Sequence, residues 1–239
     1  MTIGIIGYGN FGSFLHRLST QHLSHADVVV FSSRFKPDGK TFVTLEDACK
    51  ADIVIPAVSI SKFAETLERM KPFLGGNTIV ADVCTVKVMP VEALRRAGVR
   101  FIATHPMFGP ESFEKHGENL SGLRLVVCDH TLSAEPYARF LEWTRTLGIV
   151  VIECSADQHD RDLANTLFLT HLISQSMIEG TFERTAIDTP SFGFLMDAVE
   201  SVRRDKELFK DVYRYNPYCK EALERFKTSL REVEESLNG

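Results

Sequence analysis

The chain has 239 residues, 44% of them hydrophobic and 25% charged, with a formal net charge of -5 at pH 7. That is the make-up of a globular protein large enough for an α/β core and a smaller companion domain. The acidic balance, without any basic tract, argues against nucleic acid or an anionic membrane surface as partner, and no apolar run approaches the ~18 residues of a membrane span.

In chain order, a strand at Thr2 to Ile6 comes first, which leaves no room for a targeting leader and points to a cytoplasmic protein. Gly7-Tyr8-Gly9-Asn10-Phe11-Gly12 follows, then a helix from Ser13 to Gln21 and a strand from Val28 to Phe31 that ends in Ser32-Ser33-Arg34. A short helix at Leu45 to Lys50, a strand at Asp52 to Pro56 and a helix at Ser59 to Met70, broken by Pro72, come next. Asn77 to Asp82 reads as a strand and Val88 to Arg96 as a helix. A strand at Val99 to Ala103 leads into the loop Thr104-His105-Pro106-Met107-Phe108-Gly109-Pro110-Glu111. Leu123 to Cys128 and Ile149 to Cys154 are the last strands, around a helix at Ala134 to Leu147. Strands alternating with helices of this length predict βαβ units, a largely parallel sheet and a doubly wound Rossmann fold over residues 1–155.

After Cys154 the strand signal stops. Asp157 is expected to cap a long helix reaching about Arg184, with Leu163, Leu167, Phe168, Leu172, Met177 and Ile178 at helical spacing. Asp188-Thr189-Pro190 is a break, and helices follow at Gly193–Val202, Lys206–Tyr215 and Pro217–Leu237. Residues 156–239 therefore read as a smaller all-helical domain. Its apolar residues Phe192, Phe194, Leu195, Val199, Leu208, Phe209 and Val212 are expected to need a second copy of the chain, giving a symmetric homodimer.

The glycine loop follows a strand and opens a helix, the context in which G-x-G-x-x-G binds a dinucleotide. Gly7 permits the tight turn, Gly9 lets the backbone approach a pyrophosphate, and Gly12 allows close helix–strand packing. Tyr8, Asn10 and Phe11 complete the loop, and Val58, after the third strand, joins the expected cofactor-binding set. The second strand does not end in the acid that would accept from a ribose 2′-hydroxyl. Ser32, Ser33 and Arg34 stand there instead, two hydroxyls and a guanidinium suited to a 2′-phosphate, so NADP is expected over NAD.

Three segments carry polar residues where a parallel sheet builds its active site. They are Asp82-Val83-Cys84-Thr85-Val86-Lys87, the His105 loop, and Asp157-Gln158-His159-Asp160 with Thr170-His171 beyond it. His105, at the end of a strand and facing a nicotinamide site, is placed to take a proton from an alcohol as its hydride leaves. Histidine's ordinary pKa of about 6.5 suits that role. No paired metal-ligand spacing occurs. The five cysteines lack C-x-x-C spacing and read as reduced, packed thiols.

With these motifs in place, the chain resembles the prephenate/arogenate dehydrogenase family of tyrosine biosynthesis. The glycine loop, an Asp-x-x-Ser/Thr-x-Lys segment, the His-Pro-Met-x-Gly-x-Glu loop, a His-Asp pair and a later Thr-His lie in the family's order from Gly7 to about Gln175. The wording at 82–87 and 105–112, and the Tyr213 to Asn216 segment, are most like the plant-type arogenate dehydrogenases. The resemblance implies oxidative decarboxylation of arogenate or prephenate with hydride transfer to a nicotinamide cofactor, which Ser32, Ser33 and Arg34 lead us to expect to be NADP. It implies catalytic roles for His105 and Thr85, with Thr85 hydrogen-bonding the substrate alcohol and His105. It implies substrate contacts from Thr85, Lys87, His105, His159, Asp160 and His171. Lys87 either closes its loop or attracts the dianionic substrate, Glu111 ties its loop to backbone amides, and Asp160 is the expected partner for arogenate's ammonium. The chain departs from the family at Ser174, where many bacterial members have a second histidine. The carboxylate-gripping arginine is left among Arg203, Arg204 and Arg214. A β-hydroxyacid-dehydrogenase-like oxidoreductase and a non-catalytic NADP-binding sensor are the alternative readings.

Overall fold

The computed structural model describes residues 1–23 and 25–238, and they divide into two units at Ala156/Asp157. The first unit is built on strands β1 (Thr2–Ile6), β2 (Asp27–Phe31), β3 (Ile53–Pro56), β4 (Ile79–Asp82), β5 (Phe101–Pro106), β6 (Arg124–His130) and β7 (Val150–Glu153). Its helices are α1 (Asn10–His22), α2 (Leu45–Cys49), α3 (Ile60–Met70), α4 (Val88–Ala97), α5 (Pro110–Lys115) and α6 (Ala134–Thr146). The strands form one sheet in the order β2-β1-β3-β4-β5-β6-β7.

β1 to β5 are mutually parallel, β5 and β6 are antiparallel, and β6 and β7 are parallel. The expected largely parallel, doubly wound sheet is thus present, with its direction reversed once. Alternation along the strands feeds two cores. Val54, Val80, Phe101 and Ala103 pack with Ala48 of α2, Phe63 and Leu67 of α3 and Leu94 of α4. On the other face Ile3 and Ile5 pack with Leu15 of α1, and Ile102 and Val127 with Tyr137 and Phe140 of α6. Strands covered on both faces read as near-continuous apolar runs, which is why the sequence marks them well.

Several element ends differ from the sequence reading. α1 begins at Asn10 rather than Ser13, so Gly12 lies inside the helix. β5 continues through Thr104, His105 and Pro106, so His105 belongs to a strand and not to a loop; it lies opposite Val126 of β6, past a register irregularity between Ala103 and Thr104. The proline at 106 ends the run without disrupting it, because it is the strand's last residue. α5 was not anticipated, although Pro110 at its first turn is a helix-start signal.

The second unit holds α7 (Ala156–Asn165), α8 (Leu167–Glu179), α9 (Pro190–Val202), α10 (Lys206–Tyr215) and α11 (Cys219–Leu237). The single helix expected from Asp157 to Arg184 is two helices. The side chains of Asn165 and Thr166 donate to the carbonyls of Arg161 and Asp162 at 2.9 and 2.7 Å, competing with the backbone ladder at the joint. Thr166 leaves helical geometry there, with φ −123° and ψ −83°. Asp157 lies inside the first turn of α7 and is not its cap. Thr189 caps α9, accepting from the Phe192 amide at 3.3 Å. Of the residues expected to need a second subunit, Val199 and Val212 are already covered within the chain, whereas Phe194 is exposed. Among the described residues no helix is long and apolar enough to cross a membrane.

Candidate active site

Because β1 to β5 are parallel, their carboxyl ends share one edge of the sheet, where ligands of doubly wound folds bind. The glycine loop, Ser32 to Arg34, Val58, the 82–87 segment and His105 all follow or end these strands.

The glycine loop has the shape a pyrophosphate needs. Gly7 holds φ +111°, and a Cβ on it would lie 2.4 Å from the Ala57 carbonyl oxygen; a Cβ on Gly12 would lie 2.2 Å from that of Gly7. These two glycines are therefore demanded by the turn and by close packing. Gly9 differs: a Cβ there meets nothing within 4 Å, and its φ of −80° is open to any residue. Its bareness keeps space clear at the N-terminus of α1. That terminus has no side-chain cap and no acid in its first turn. Its amides and partial positive charge therefore suit an anion. Val58 is half-buried, and its Cγ1 is 3.2 Å from where a Gly7 Cβ would sit, so it lines the same turn. A phosphate-bearing dinucleotide fits this cradle.

The end of β2 carries no carboxylate. The exposed Arg34 folds back so that Nη2 donates to the Tyr8 carbonyl at 2.5 Å, and its amide donates to Oγ of the buried Ser32 at 3.2 Å. Ser33 is exposed beside them. The next acid, Asp38, accepts from the Lys40 and Phe42 amides at 2.9 and 2.8 Å, which lowers its pKa and ties it into its own turn. Tyr8 stands edge-on to Phe35 and Phe42, which stack on each other at 4.8 Å. The guanidinium and the glycine loop are thus brought together at one end of the sheet.

The 82–87 segment is braced from below. Lys87 is fully buried; its ammonium pairs with the fully buried Asp82 carboxylate and donates to the Thr104 carbonyl at 2.5 Å. Asp82 also accepts from the Cys84 amide at 2.9 Å, and Thr104 Oγ1 donates to the Asp82 carbonyl at 2.7 Å. Of the two roles expected of Lys87, this geometry fits closure of the loop against β5, since an ammonium without exposure is held away from any solvent-borne substrate. Thr85 is half-buried on the loop so fastened, and His105, one residue beyond Thr104, is buried. Glu111 is exposed in the first turn of α5. The tie expected of it comes from Ser112, whose Oγ accepts from the Gly109 amide at 2.8 Å.

In the second unit His159 Nδ1 lies 2.9 Å from Asp160 Oδ1, both side chains buried. The Asp160 carboxylate has no exposure and is turned onto its neighbour, so it holds the imidazole; as an open partner for a substrate ammonium it is misplaced. His171 is buried among apolar groups, which pushes its pKa down to about 4 and keeps it neutral at physiological pH. His171, Ser174 and Gln175 fall at i, i+3 and i+4 of α8, on one face. Each has a buried polar atom without a partner: Nδ1, Oγ and Nε2. Such groups normally find partners, and a bound ligand is one way of supplying them. In the sequence Ser174 stands out only as a departure from the family and Gln175 not at all; the i+3/i+4 spacing from His171 is the signal that marks them. Of the arginine candidates, Arg203 forks onto Glu200 at 2.6 and 2.9 Å and Arg214 lies over the Tyr215 ring at 5.5 Å, while Arg204 is exposed. No group of three or more potential metal ligands occurs among the described residues, and their cysteines form no disulfide.

Residues 39–127 match the model of the prephenate dehydrogenase nucleotide-binding domain, and residues 176–239 that of a TYRAAT1-like C-terminal domain. Over 256 aligned residues, spanning the whole chain, the sequence is 30% identical to arogenate dehydrogenase 2, chloroplastic, of Arabidopsis thaliana and covers 70% of it. It is 29% identical to arogenate dehydrogenase 1, chloroplastic, of the same plant, covering 39% of that longer protein. Among solved structures, prephenate dehydrogenase from A. aeolicus, in complex with hydroxyphenyl propionate and NAD+, aligns with a TM-score of 0.77 at 19% identity, over 99% of this chain and 90% of that one. Synechocystis arogenate dehydrogenase aligns at 0.71 and 18% identity, over 100% and 92%.

Proposed function

The chain belongs to the prephenate/arogenate dehydrogenase family, and from that premise we propose that it oxidatively decarboxylates arogenate, or prephenate, with NADP as hydride acceptor, in the making of tyrosine. The observation that carries the cofactor reading is Arg34 at the end of β2, folded onto the glycine loop where NAD-binding members of this fold place an acid. Bound NADP supplies hydride acceptance from the ring carbinol carbon.

The protein's part is to bind, orient and move one proton. The amides at the start of α1 and the bare Gly9 receive the pyrophosphate, and Arg34, Ser32 and Ser33 the 2′-phosphate. His105 accepts the hydroxyl proton as hydride leaves. The C–C electron pair freed by departing CO₂ then completes the aromatic ring, and the proton returns to the oxygen that becomes the phenol. No net proton remains on the imidazole. Thr85 orients the alcohol and His105 from the braced 82–87 loop. His159, set by Asp160, and the neutral polar face of His171, Ser174 and Gln175 take the carboxylates and side chain of the substrate. Neutral donors suffice there because aromatisation supplies much of the driving force and the protein has mainly to position.

We also propose a homodimer through the C-terminal helices. Leu230, Val233 and Leu237 recur at helical spacing on α11 and are 58%, 55% and 81% exposed, an apolar stripe that a second copy would cover. The activity is tested by product stoichiometry: one CO₂ released per nicotinamide reduced. Reduction without CO₂ would favour the β-hydroxyacid reading.

A further inference from the structure

We infer that Asn216 is a positioning residue for the His159–Asp160 pair, an inference that rests on the proposed dehydrogenase reading for its effect on turnover. Pro217 disfavours helical geometry at the residue before it, so α10 stops and Asn216 adopts φ −91°, ψ 117°. Its backbone amide still closes the last turn onto the Val212 carbonyl at 2.9 Å. The side chain is thereby turned out of the helix, yet Asn216 is only 2% exposed.

Both ends of that amide are used. Nδ2 donates to the backbone carbonyl of Asp160 at 2.8 Å, 56 residues away in sequence. Oδ1 accepts from the Tyr218 amide at 2.9 Å, at the start of α11. A carbonyl has two lone pairs, so Asp160 can take this donor in addition to its helical bond. The result is a fixed link from the α10–α11 corner to the one turn of α7 that carries His159 and Asp160.

Two further contacts join the same elements from the exposed side: the Tyr218 hydroxyl bonds Asp157, and the Arg161 guanidinium lies 4.2 Å from the Tyr218 ring centroid. These are solvent-facing and replaceable. The Asn216 bond is buried and is made to the peptide of Asp160 itself. Cys219, the buried thiol packed here, has its pKa pushed up to about 12 by burial and by the Asp160 charge, and stays a thiol. With Nδ1 of His159 bonded to Asp160, the setting of the ring follows the α7 turn that Asn216 holds. Asn216 is buried and both ends of its amide are spent on Asp160 and Tyr218, so its effect runs through the His159–Asp160 pair.

The test compares Asn216→Ala with Asn216→Asp. The alanine variant loses both bonds. We expect kcat/KM for the cyclohexadienyl substrate to fall about 100-fold, the scale of a catalytic group displaced by about 1 Å, with NADPH affinity unchanged within about twofold. The aspartate variant keeps the acceptor for the Tyr218 amide but can donate to the Asp160 carbonyl only while protonated. Burial and the neighbouring carboxylate raise the pKa of the introduced acid into the working range. Its kcat/KM relative to wild type at the same pH should therefore be about tenfold higher at pH 6 than at pH 8. Thermal melts at both pH values keep the comparison to fully folded enzyme, since a buried acid that ionises can also loosen the fold. The His159 ring is also read directly by ¹⁵N NMR of the imidazoles. A single Nδ1-protonated tautomer is expected in wild type and a mixture in Asn216→Ala, whether or not the protein turns over any substrate. An unchanged tautomer in Asn216→Ala, or a flat pH ratio in Asn216→Asp, overturns the inference. Absence of turnover in wild type would instead strike the proposed function.

Discussion

Arg34 Nη2 and the carbonyl oxygen of Tyr8 lie 2.5 Å apart, which ties the residue at the end of β2 to the second residue of the glycine loop. The contact sets a cation beside the cradle for a phosphate while leaving the guanidinium exposed, with further donors to offer. Arg34→Ala should raise the KM for NADP about tenfold or more and that for NAD by less than about threefold, since a charge-assisted bond to phosphate is worth about 1.5–3 kcal/mol. Steady-state kinetics with both nucleotides decides it; equal loss for the two would mean that Arg34 does not read the phosphate.

Two glycines of one motif should behave oppositely. Gly12→Ala drives a Cβ to 2.2 Å from the Gly7 carbonyl oxygen, backbone against backbone, and should destabilise the fold by several kcal/mol. Gly9→Ala meets nothing within 4 Å and should leave Tm within about a degree, while weakening nucleotide binding because the methyl occupies the phosphate's approach. Thermal melts with and without NADP separate the two.

The Asp82–Lys87 pair is fully buried. Lys87→Met strands a carboxylate in the core and should cost about 3–5 kcal/mol in urea unfolding; adding Asp82→Leu should recover much of that. If Lys87 bound substrate instead of bracing the loop, the double variant would be stable yet fail to saturate with substrate.

Burial penalises the charged form of His171 and pushes its pKa down to about 4 in the folded chain, against an ordinary 6.5. Between these values the unfolded chain binds the extra proton, so stability falls as pH drops from about 6.5 towards 4 and does not depend on this group above 6.5. His171→Gln should lose less stability than wild type between pH 7 and pH 5, measured as the urea midpoint. Parallel losses in the two proteins would remove His171 from the acid response.

His105→Asn should lower kcat by about 10²–10⁴-fold, the usual worth of a positioned general base, with KM and NADPH binding nearly unchanged. An unchanged kcat would exclude His105 as the proton acceptor.

The sheet was legible because its central strands are apolar on both faces, and the spacing of Gly7, Gly9 and Gly12 between a strand and a helix marked the candidate dinucleotide loop. What could not be read were contacts fixed by tertiary packing. Nothing local shows that the Lys87 ammonium is buried against Asp82 and Thr104; the fold brings the three together. His105 looked like a loop residue because Pro106 and Gly109 follow it, yet pairing with β6 carries the strand through it. The α7–α8 joint escaped notice because the apolar period continues across Asn165 and Thr166, whose side chains decide the break. The links from Asn216 to Asp160 and from Asp157 to Tyr218 span 56 and 61 residues, beyond any local pattern.

The activity proposed for the protein is an NADP-dependent oxidative decarboxylation. Its most direct test is formation of reduced nicotinamide by the purified protein with arogenate and with prephenate, each offered with NADP and with NAD. Turnover of a cyclohexadienyl substrate with NADP well above NAD is the expected result. Preference for NAD would overturn the role given to Arg34, and no reduction with any of the four pairs would contradict the proposed activity itself.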